Sequence, residues 1–317
     1  MIRKLQRLYL SEYNINYKYE GMKEIKIAIL VLFLTILPVS MWSQNTSKTP
    51  FEGVITTRIT MGKVDASALL GKIDYKNKEK AKQQMNTLFS DPQIQPLVKR
   101  DSTTELLLMM TPPNTIIYLK GDQALAKTKG IGFQIEHYRN LKTDEAFVYT
   151  SSLLNPSKAV TATYKPSQGD ETLFAQDKRL NLKLYNIVKL SEKEKVAGYD
   201  CSVTSYTLKN KPSAADKSIQ VHKLKVYTSK DMTNAVNFAS PYYLVEKDGI
   251  MRIDVFFDDS KQPTMIYEMT KVEKKPIDNK LLQIKKTKPL YQLTNVDYSM
   301  KLMKIIMGGI DRIWGEK

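Results

Sequence analysis

The chain has almost none of the residues that build the common metal and disulfide sites. Its 317 residues include one cysteine and two histidines. A single cysteine excludes an intrachain disulfide and a multi-cysteine zinc site. His137 and His222 lie far apart in the sequence, so the paired-histidine metal motifs are absent as well. Cys201 alternates with Val203 in a strand-like segment, and we expect it to be a small buried side chain.

Recognisable catalytic motifs are also missing. The sequence has no Gly-x-Ser-x-Gly pentapeptide to present a nucleophilic serine. The segment 130–132 lacks the third glycine of a dinucleotide loop and is interpreted as a turn. Asp254, Asp258 and Asp259 lack the spacing of a calcium loop, and turn-forming aspartates explain them. The sequence therefore predicts a protein that is not an enzyme and needs no cofactor or metal, with an enzyme of dispersed site residues as the alternative.

Arginine is scarce relative to lysine. The chain has 49 basic and 33 acidic residues, a net charge of +16, and only eight of the basic residues are arginine. The lysines are spread along the whole chain, without an arginine-rich run or a basic segment interleaved with stacking aromatics. Nucleic acid is therefore not expected as a partner. Lysines that solvate exposed faces explain this composition, and attraction to anionic envelope lipid is the main alternative.

A long apolar run occurs near the N-terminus. Two lysines precede the apolar residues 27–37, which are followed by Pro38 and by small residues up to Ser43. This order is typical of a secretory signal peptide that is cleaved after Ser43. The uncharged stretch 27–42 is shorter than the roughly twenty residues that a membrane-spanning helix needs, although an uncleaved anchor is the alternative. We expect export to the periplasm, or association with the outer membrane.

The domain boundaries follow from this interpretation. Residues 1–21 precede the signal and are expected to be an upstream extension, with translation beginning at Met22. Residues 22–43 form the signal peptide, residues 44–290 a single β domain, and residues 291–317 a methionine-rich C-terminal helix.

Strand-like alternation dominates the exported part. In residues 51–61, Phe51, Ile55, Ile59 and Met61 occupy one face of the segment, as in a half-buried strand. Residues 67–90 change to a three- and four-residue period and predict one amphipathic helix. Further strands are predicted at 104–111, 115–119, 133–138, 146–151, 160–164, 184–190, 201–208, 219–228, 250–257 and 264–274. The spacing predicts a mainly β (α+β) fold: a curved antiparallel sheet or half-open β-barrel covered by helices.

The C-terminal segment predicts an amphipathic helix with a methionine-rich face. The residues on that face recur at steps of three and four: Met300, Met303, Met307, Ile310 and Trp314. Such a face most often packs on the protein's own sheet, but it can also bind a partner.

A strongly curved sheet must have its concave side covered. Either helices and side chains fill that side, or it encloses a cavity for an apolar ligand. If there is a cavity, its lining is best sought in an apolar segment and the strand after it: Leu106, Leu108, Met110, Ile116 and Tyr118. A filled core is the more usual arrangement in proteins.

Four short segments carry a resemblance to a known family. They are FEGVI (51–55), EKVAGYDC (194–201), LKVYTSKD (224–231) and MTKVEKKPID (269–278). In this order they resemble a family of uncharacterised exported proteins of Gram-negative envelopes. That family is similar in fold to the LolA/LolB-like lipoprotein carriers and receptors. The resemblance implies a half-open β-barrel closed by helices around an apolar cavity, and it brings no defined functional residues.

Two functions follow as expectations. The first is a non-enzymatic envelope protein that binds lipid, lipoprotein acyl chains or another apolar ligand in a half-barrel cavity. The alternative is a structural or interaction protein with a filled barrel, whose C-terminal helix binds another envelope protein.

Overall fold

One large sheet organises the protein. The computed structural model describes residues 51–314 apart from 63, 66–67, 69–70, 75–76, 91, 93–113, 131, 168–181, 211–220, 241–243 and 245. The strands are β1 (Glu52–Met61), β2 (Val64–Asp65), β3 (Asn114–Lys120), β4 (Gln123–Lys129), β5 (Phe133–Asn140), β6 (Glu145–Ser152), β7 (Ala159–Tyr164), β8 (Tyr185–Val196), β9 (Tyr199–Leu208), β10 (Lys223–Ser229), β11 (Gly249–Phe256), β12 (Met265–Lys274) and β13 (Leu290–Gln292). The helices are α1 (Lys78–Phe89) and α2 (Val296–Trp314), with three 3₁₀ turns at Leu182–Leu184, Asn234–Ala239 and Asn279–Leu282.

Two antiparallel meanders flank the first strand. The strands β3 to β7 pair in sequence order, as do β8 to β12, and β1 lies between β3 and β12. The short β13 adds to β7 in parallel, whereas all other pairs are antiparallel. The strand order runs from β13 to β8 without returning, so the described sheet is not closed into a barrel. The predicted mainly β fold, with a curved sheet and a C-terminal helix, is confirmed.

The alternation of β1 fixes its two faces. Ile55, Thr57, Ile59 and Met61 are buried, and the residues that alternate with them are partly exposed, as the sequence predicts. Successive strand residues point to opposite faces. We call the face that carries Ile55 the inner face. Register places Ile117, Ala126, His137 and Val148 on that same face.

The opposite, outer face carries a second cross-strand row. Val54 pairs with Tyr118, Tyr118 with Leu125, Leu125 with Tyr138, and Tyr138 with Phe147. Both faces of the first meander are therefore apolar and need a cover.

The C-terminal part of the chain covers both faces. After β12, residues 275–289, which we call the strap, cross the outer face: Ile277 and Leu282 pack on Leu125. The chain then passes the sheet edge as β13, and α2 packs on the inner face. The 3₁₀ turn Asn234–Ala239 covers the neighbouring part of the inner face.

Helix α1 is shorter than the sequence predicts. The single helix expected over residues 67–90 is wrong in extent, because residues 71–74 form a turn and an extended segment and the helix begins at Lys78. The Asn77 side chain accepts a hydrogen bond from the Lys80 amide at 3.0 Å, which caps this start.

Three strands escape the sequence pattern. β4 has small and polar residues with little alternation, β2 has two residues and β13 has three. These segments pair with neighbouring strands, and the strap helps to bury β4. Tertiary contacts, and not the local sequence, therefore determine that they are strands. The predicted strand 104–111 lies outside the described residues.

Candidate functional site

The candidate cavity-lining residues do not share one environment. Leu106, Leu108 and Met110 lie outside the described residues. Ile116 is 40% exposed, and Tyr118 is partly buried under the strap against Leu125. Both belong to the outer face, whereas Ile117 and Leu119 are fully buried on the inner one. A role for these side chains in ligand binding stays a prediction.

Large side chains occupy the inner side of the described sheet. Phe133, Phe238, Tyr267 and Tyr298 are among the largest fully buried side chains. They belong to three clusters: one lies between the sheet and α2, one lies between the sheet and the 3₁₀ turn Asn234–Ala239, and one covers the β8–β12 meander and the end of β1. Packing of this kind is typical of a solid protein interior.

Helix α2 uses one side for the sheet. Asn295 caps its start, accepting a hydrogen bond from the Asp297 amide at 2.7 Å. The side chains that pack on strands β5 to β7 are buried: Tyr298, Leu302, Ile305 and Ile306. At 3.6 residues per turn they form one stripe along the helix.

The methionines of α2 lie on its other side. Met300 is 49% exposed and Val296 is 71% exposed, while Met303 is partly buried. By helical periodicity Met300 lies opposite the buried stripe, whereas Val296 and Met303 lie on its flank. The side chains of Met307, Ile310 and Trp314 are outside the described part of the structure. The sequence thus predicts the helix correctly. The residues that pack on the sheet, however, are sequence neighbours of the methionines that were predicted to form the contact face.

The strap bears a dense row of positive charge. Residues 275–289 contain five lysines and one acidic residue, Asp278. All five lysines, at 275, 280, 285, 286 and 288, are exposed. Leu281 lies among them and is 40% exposed. A surface that combines lysines with an exposed apolar side chain can bind a partner both by charge attraction and by burial of the apolar group.

Hydrogen bonds fix the strap at both ends. The Ile277 amide donates to Glu52 Oε1 at 2.7 Å, and Lys120 Nζ donates to the Ile277 carbonyl at 3.0 Å. At the far end the Thr287 amide donates to Thr161 Oγ1 at 2.9 Å. Lys286 Nζ lies 3.5 Å from the Phe147 ring centroid. The strap backbone is therefore held in place.

His137 is buried on the inner face, between the regions covered by α2 and by the 3₁₀ turn Asn234–Ala239. Its Nε2 lies 2.7 Å from the Tyr164 hydroxyl oxygen, and its ring meets the edge of Phe238 with centroids 4.9 Å apart. Desolvation, and then the charge of Arg139, hold the pKa of His137 well below its usual value of 6.5. The imidazole is neutral at physiological pH and acts as a core residue.

The three aspartates of the sequence analysis have separate partners. Asp254 is buried and accepts hydrogen bonds from Arg252 Nε at 2.7 Å and from the Tyr227 hydroxyl at 2.9 Å. Asp258 accepts from the Ser260 amide at 2.9 Å, and Asp259 lies 2.9 Å from His222 Nε2. No group of three metal-binding side chains occurs among the residues that the structure describes.

Cys201 is a buried thiol. It lies in the cluster beneath the 3₁₀ turn Asn234–Ala239, and its Sγ donates to the Tyr199 carbonyl at 3.5 Å. Burial raises the pKa of the Cys201 thiol to about 11. Because the thiolate is the reactive form, this cysteine is inert at neutral pH.

Comparisons with known proteins give only remote similarity. No family model and no curated protein match the chain. Weakly similar solved structures include PNGF-II, at 14% identity over 80% of this chain and 34% of that one, with a TM-score of 0.39. The Pseudomonas aeruginosa MucA/MucB complex matches at 10% identity over 50% of this chain and 51% of that one, with a TM-score of 0.27. A LolA superfamily protein from Nitrosomonas europaea matches at 9% identity over 80% of this chain and 96% of that one, with a TM-score of 0.15.

This chain spans about a third of the length of PNGF-II. All three TM-scores are low, so the fold assignment rests on the strand order and contacts described above. The resemblance to exported envelope proteins stays a prediction. Among the described helices, none has both the length and the apolar character needed to cross a bilayer.

Proposed function

We propose that this protein is a non-enzymatic, exported interaction protein with a filled core, and that it binds a protein partner through α2. One observation carries the proposal: Tyr298, Leu302, Ile305 and Ile306 already pack on the sheet, whereas an apolar stripe of Val296 and Met300, at the start of the same helix and away from that contact, is exposed. An exposed apolar helix stripe is a common way to enter a partner's groove.

The partner's chemistry follows from the side chains around the stripe. Methionine adapts to irregular apolar grooves because its side chain is unbranched and polarizable. Lys301 and Lys304 are exposed on the same helix. We therefore infer an apolar groove with an acidic rim on another protein of the envelope.

Site-specific photo-crosslinking in the native host tests this proposal. A photoreactive phenylalanine at position 296 or 300 should give one discrete adduct, and the same residue at the exposed Lys158 should not. Met300→Glu should abolish the adduct from position 296, because it buries a carboxylate in the apolar groove. Equal labelling from position 158, or no adduct from 296 and 300, would contradict the proposal.

A second experiment separates the filled core from a ligand cavity. Native mass spectrometry and organic extraction of the protein purified from its own envelope should give the mass of the chain alone. Because the described inner face is occupied by side chains, we expect no co-purifying acyl chain. A stoichiometric lipid mass that remains after a wash at about 1 M salt, which screens surface charge, would overturn the filled core and favour a cavity that includes Leu108 and Met110.

A further inference from the structure

The strap is a second surface of the protein, and the α2 proposal does not involve it. It lies on the outer face of the sheet, whereas α2 packs on the inner face. The two surfaces can therefore be tested separately. We propose that the strap is a docking surface for an anionic phospholipid bilayer.

The strap carries a dense positive charge. Its fifteen residues include five exposed lysines and a single acidic residue, Asp278, whose carboxylate caps the 3₁₀ turn by accepting from the Lys280 amide at 2.9 Å. Lys275 pairs with Glu273 at 3.1 Å. The strap thus keeps a strong positive excess. Basic clusters of this size are attracted to anionic lipid surfaces.

The type of basic residue favours a diffuse target. The strap has lysine at all five basic positions and no arginine. Arginine provides a planar fork that reads single carboxylate or phosphate groups, whereas lysine is a mobile point charge. A surface of many equivalent, laterally mobile headgroups suits point charges.

Leu281 favours a bilayer over a soluble polyanion. It projects from the 3₁₀ turn Asn279–Leu282, where its neighbour Leu282 is buried against the sheet. The exposed leucine stands beside Lys280 and within four residues of Lys285. A soluble polyanion gains nothing from this side chain, but the boundary between headgroups and acyl chains can bury it.

The strap is also held in the binding-competent shape. Its ends are fixed to Glu52 and Thr161, and Ile277 and Leu282 anchor its middle on Leu125. Little ordering of the backbone is then required on binding, and a pre-organised surface binds more tightly than a flexible one of the same composition.

The test is sedimentation of the purified protein with vesicles. Vesicles with about one third phosphatidylglycerol in phosphatidylcholine should bind the protein, and pure phosphatidylcholine should not. A triple variant that combines Lys280→Gln, Lys285→Gln and Lys288→Gln keeps the strap hydrogen bonds to Glu52 and Thr161. It also keeps the Lys286–Phe147 contact. We expect it to lose about fivefold in affinity per lysine, roughly a hundredfold in all.

A matched control removes the same charge elsewhere. Lys158, Lys230 and Lys261 are exposed and lie off the strap, and their joint change to glutamine should leave vesicle binding within about threefold of the parent protein. Raising the salt from about 0.1 M to about 1 M should release the parent protein, because the Debye length falls from about 10 Å to about 3 Å. Equal loss in both triple variants would mean that net charge alone acts, and would overturn the proposal.

Leu281→Ser separates a bilayer from a soluble polyanion. This change should weaken vesicle binding several-fold and leave binding to inorganic polyphosphate unchanged. If Leu281→Ser has no effect on vesicles while polyphosphate binding depends on the strap lysines, the bilayer proposal fails in favour of a polyanion. Either failure leaves the α2 crosslinking result untouched.

Discussion

At the scale of single residues, burial decides what the titratable groups can do. His137 and Cys201 belong to types that often carry catalysis, but their surroundings keep one neutral and the other protonated. Asp254 is ordered by Arg252 and Tyr227. In each case the observed partners are those of a folded core, which is why the candidate site lies at the surface.

His137 gives the protein a pH-dependent stability. Its pKa is lowered in the folded state, so the unfolded chain takes up the proton first and stability falls as the pH drops below about 6.5. We expect a loss of up to about 1.4 kcal/mol per pH unit between about pH 6 and pH 5. Urea unfolding of the parent protein and of His137→Gln should reveal it as a difference that grows toward low pH.

Unfolding of the parent protein must be compared with that of His137→Gln, because other groups change the stability in the opposite direction as the pH falls. Burial raises the pKa of Glu246, so its protonation favours the folded state as the pH falls. That contribution is common to both proteins and cancels in the difference. A constant difference over this pH range would show that His137 does not titrate on unfolding.

At the scale of elements, the two sides of α2 differ in exposure. The side that packs on β5 to β7 is closed to solvent, and the side with Val296 and Met300 is open. Removing a buried side chain leaves a cavity, whereas truncating an exposed one changes little.

Two alanine variants of α2 should therefore behave differently. Leu302→Ala, at a fully buried position, should lower the free energy of unfolding by about 2–5 kcal/mol. Met300→Ala should change it by no more than about 0.5 kcal/mol. Thermal or urea unfolding measures both. A large loss for Met300→Ala would show that the methionine side of the helix supports the fold, and would weaken its assignment as a partner surface.

At the scale of the whole molecule, β1 joins two halves that are each local in sequence. It pairs with β3 on one side and with β12 on the other. Arg58 and Glu268, which form an ion pair across that second boundary, are 210 positions apart. The pairing of this strand joins the two meanders, and the 3₁₀ turn Asn234–Ala239 adds packing between them.

Weakening β1 should therefore destabilise both halves together. Ile55 is fully buried on β1, and Ile55→Ala should cost about 2–5 kcal/mol. Hydrogen exchange followed by mass spectrometry should report the same loss for the most protected amides of β5 and of β10. A loss confined to one meander would show that the halves unfold independently.

The sequence by itself determined the local features. Alternation in residues 51–61 gave both the strand and its buried face, because one set of positions is apolar and the other polar. Most strands of the two meanders and the C-terminal helix were likewise predicted as elements from their periodicity. The absence of clustered histidine and cysteine also excluded the common metal sites without any structure.

Tertiary structure decided the features for which the local pattern is ambiguous. Residues 115–119 are apolar on both faces, so periodicity could not tell that Ile117 and Leu119 would face inward while Ile116 and Tyr118 face outward; register decides that. Helix α2 is apolar around most of its circumference, and only its packing shows which side meets the sheet. The strap lysines looked like scattered solvating charge until the fold placed the segment that carries them across the outer face, because sequence distance does not encode which face a connecting segment crosses.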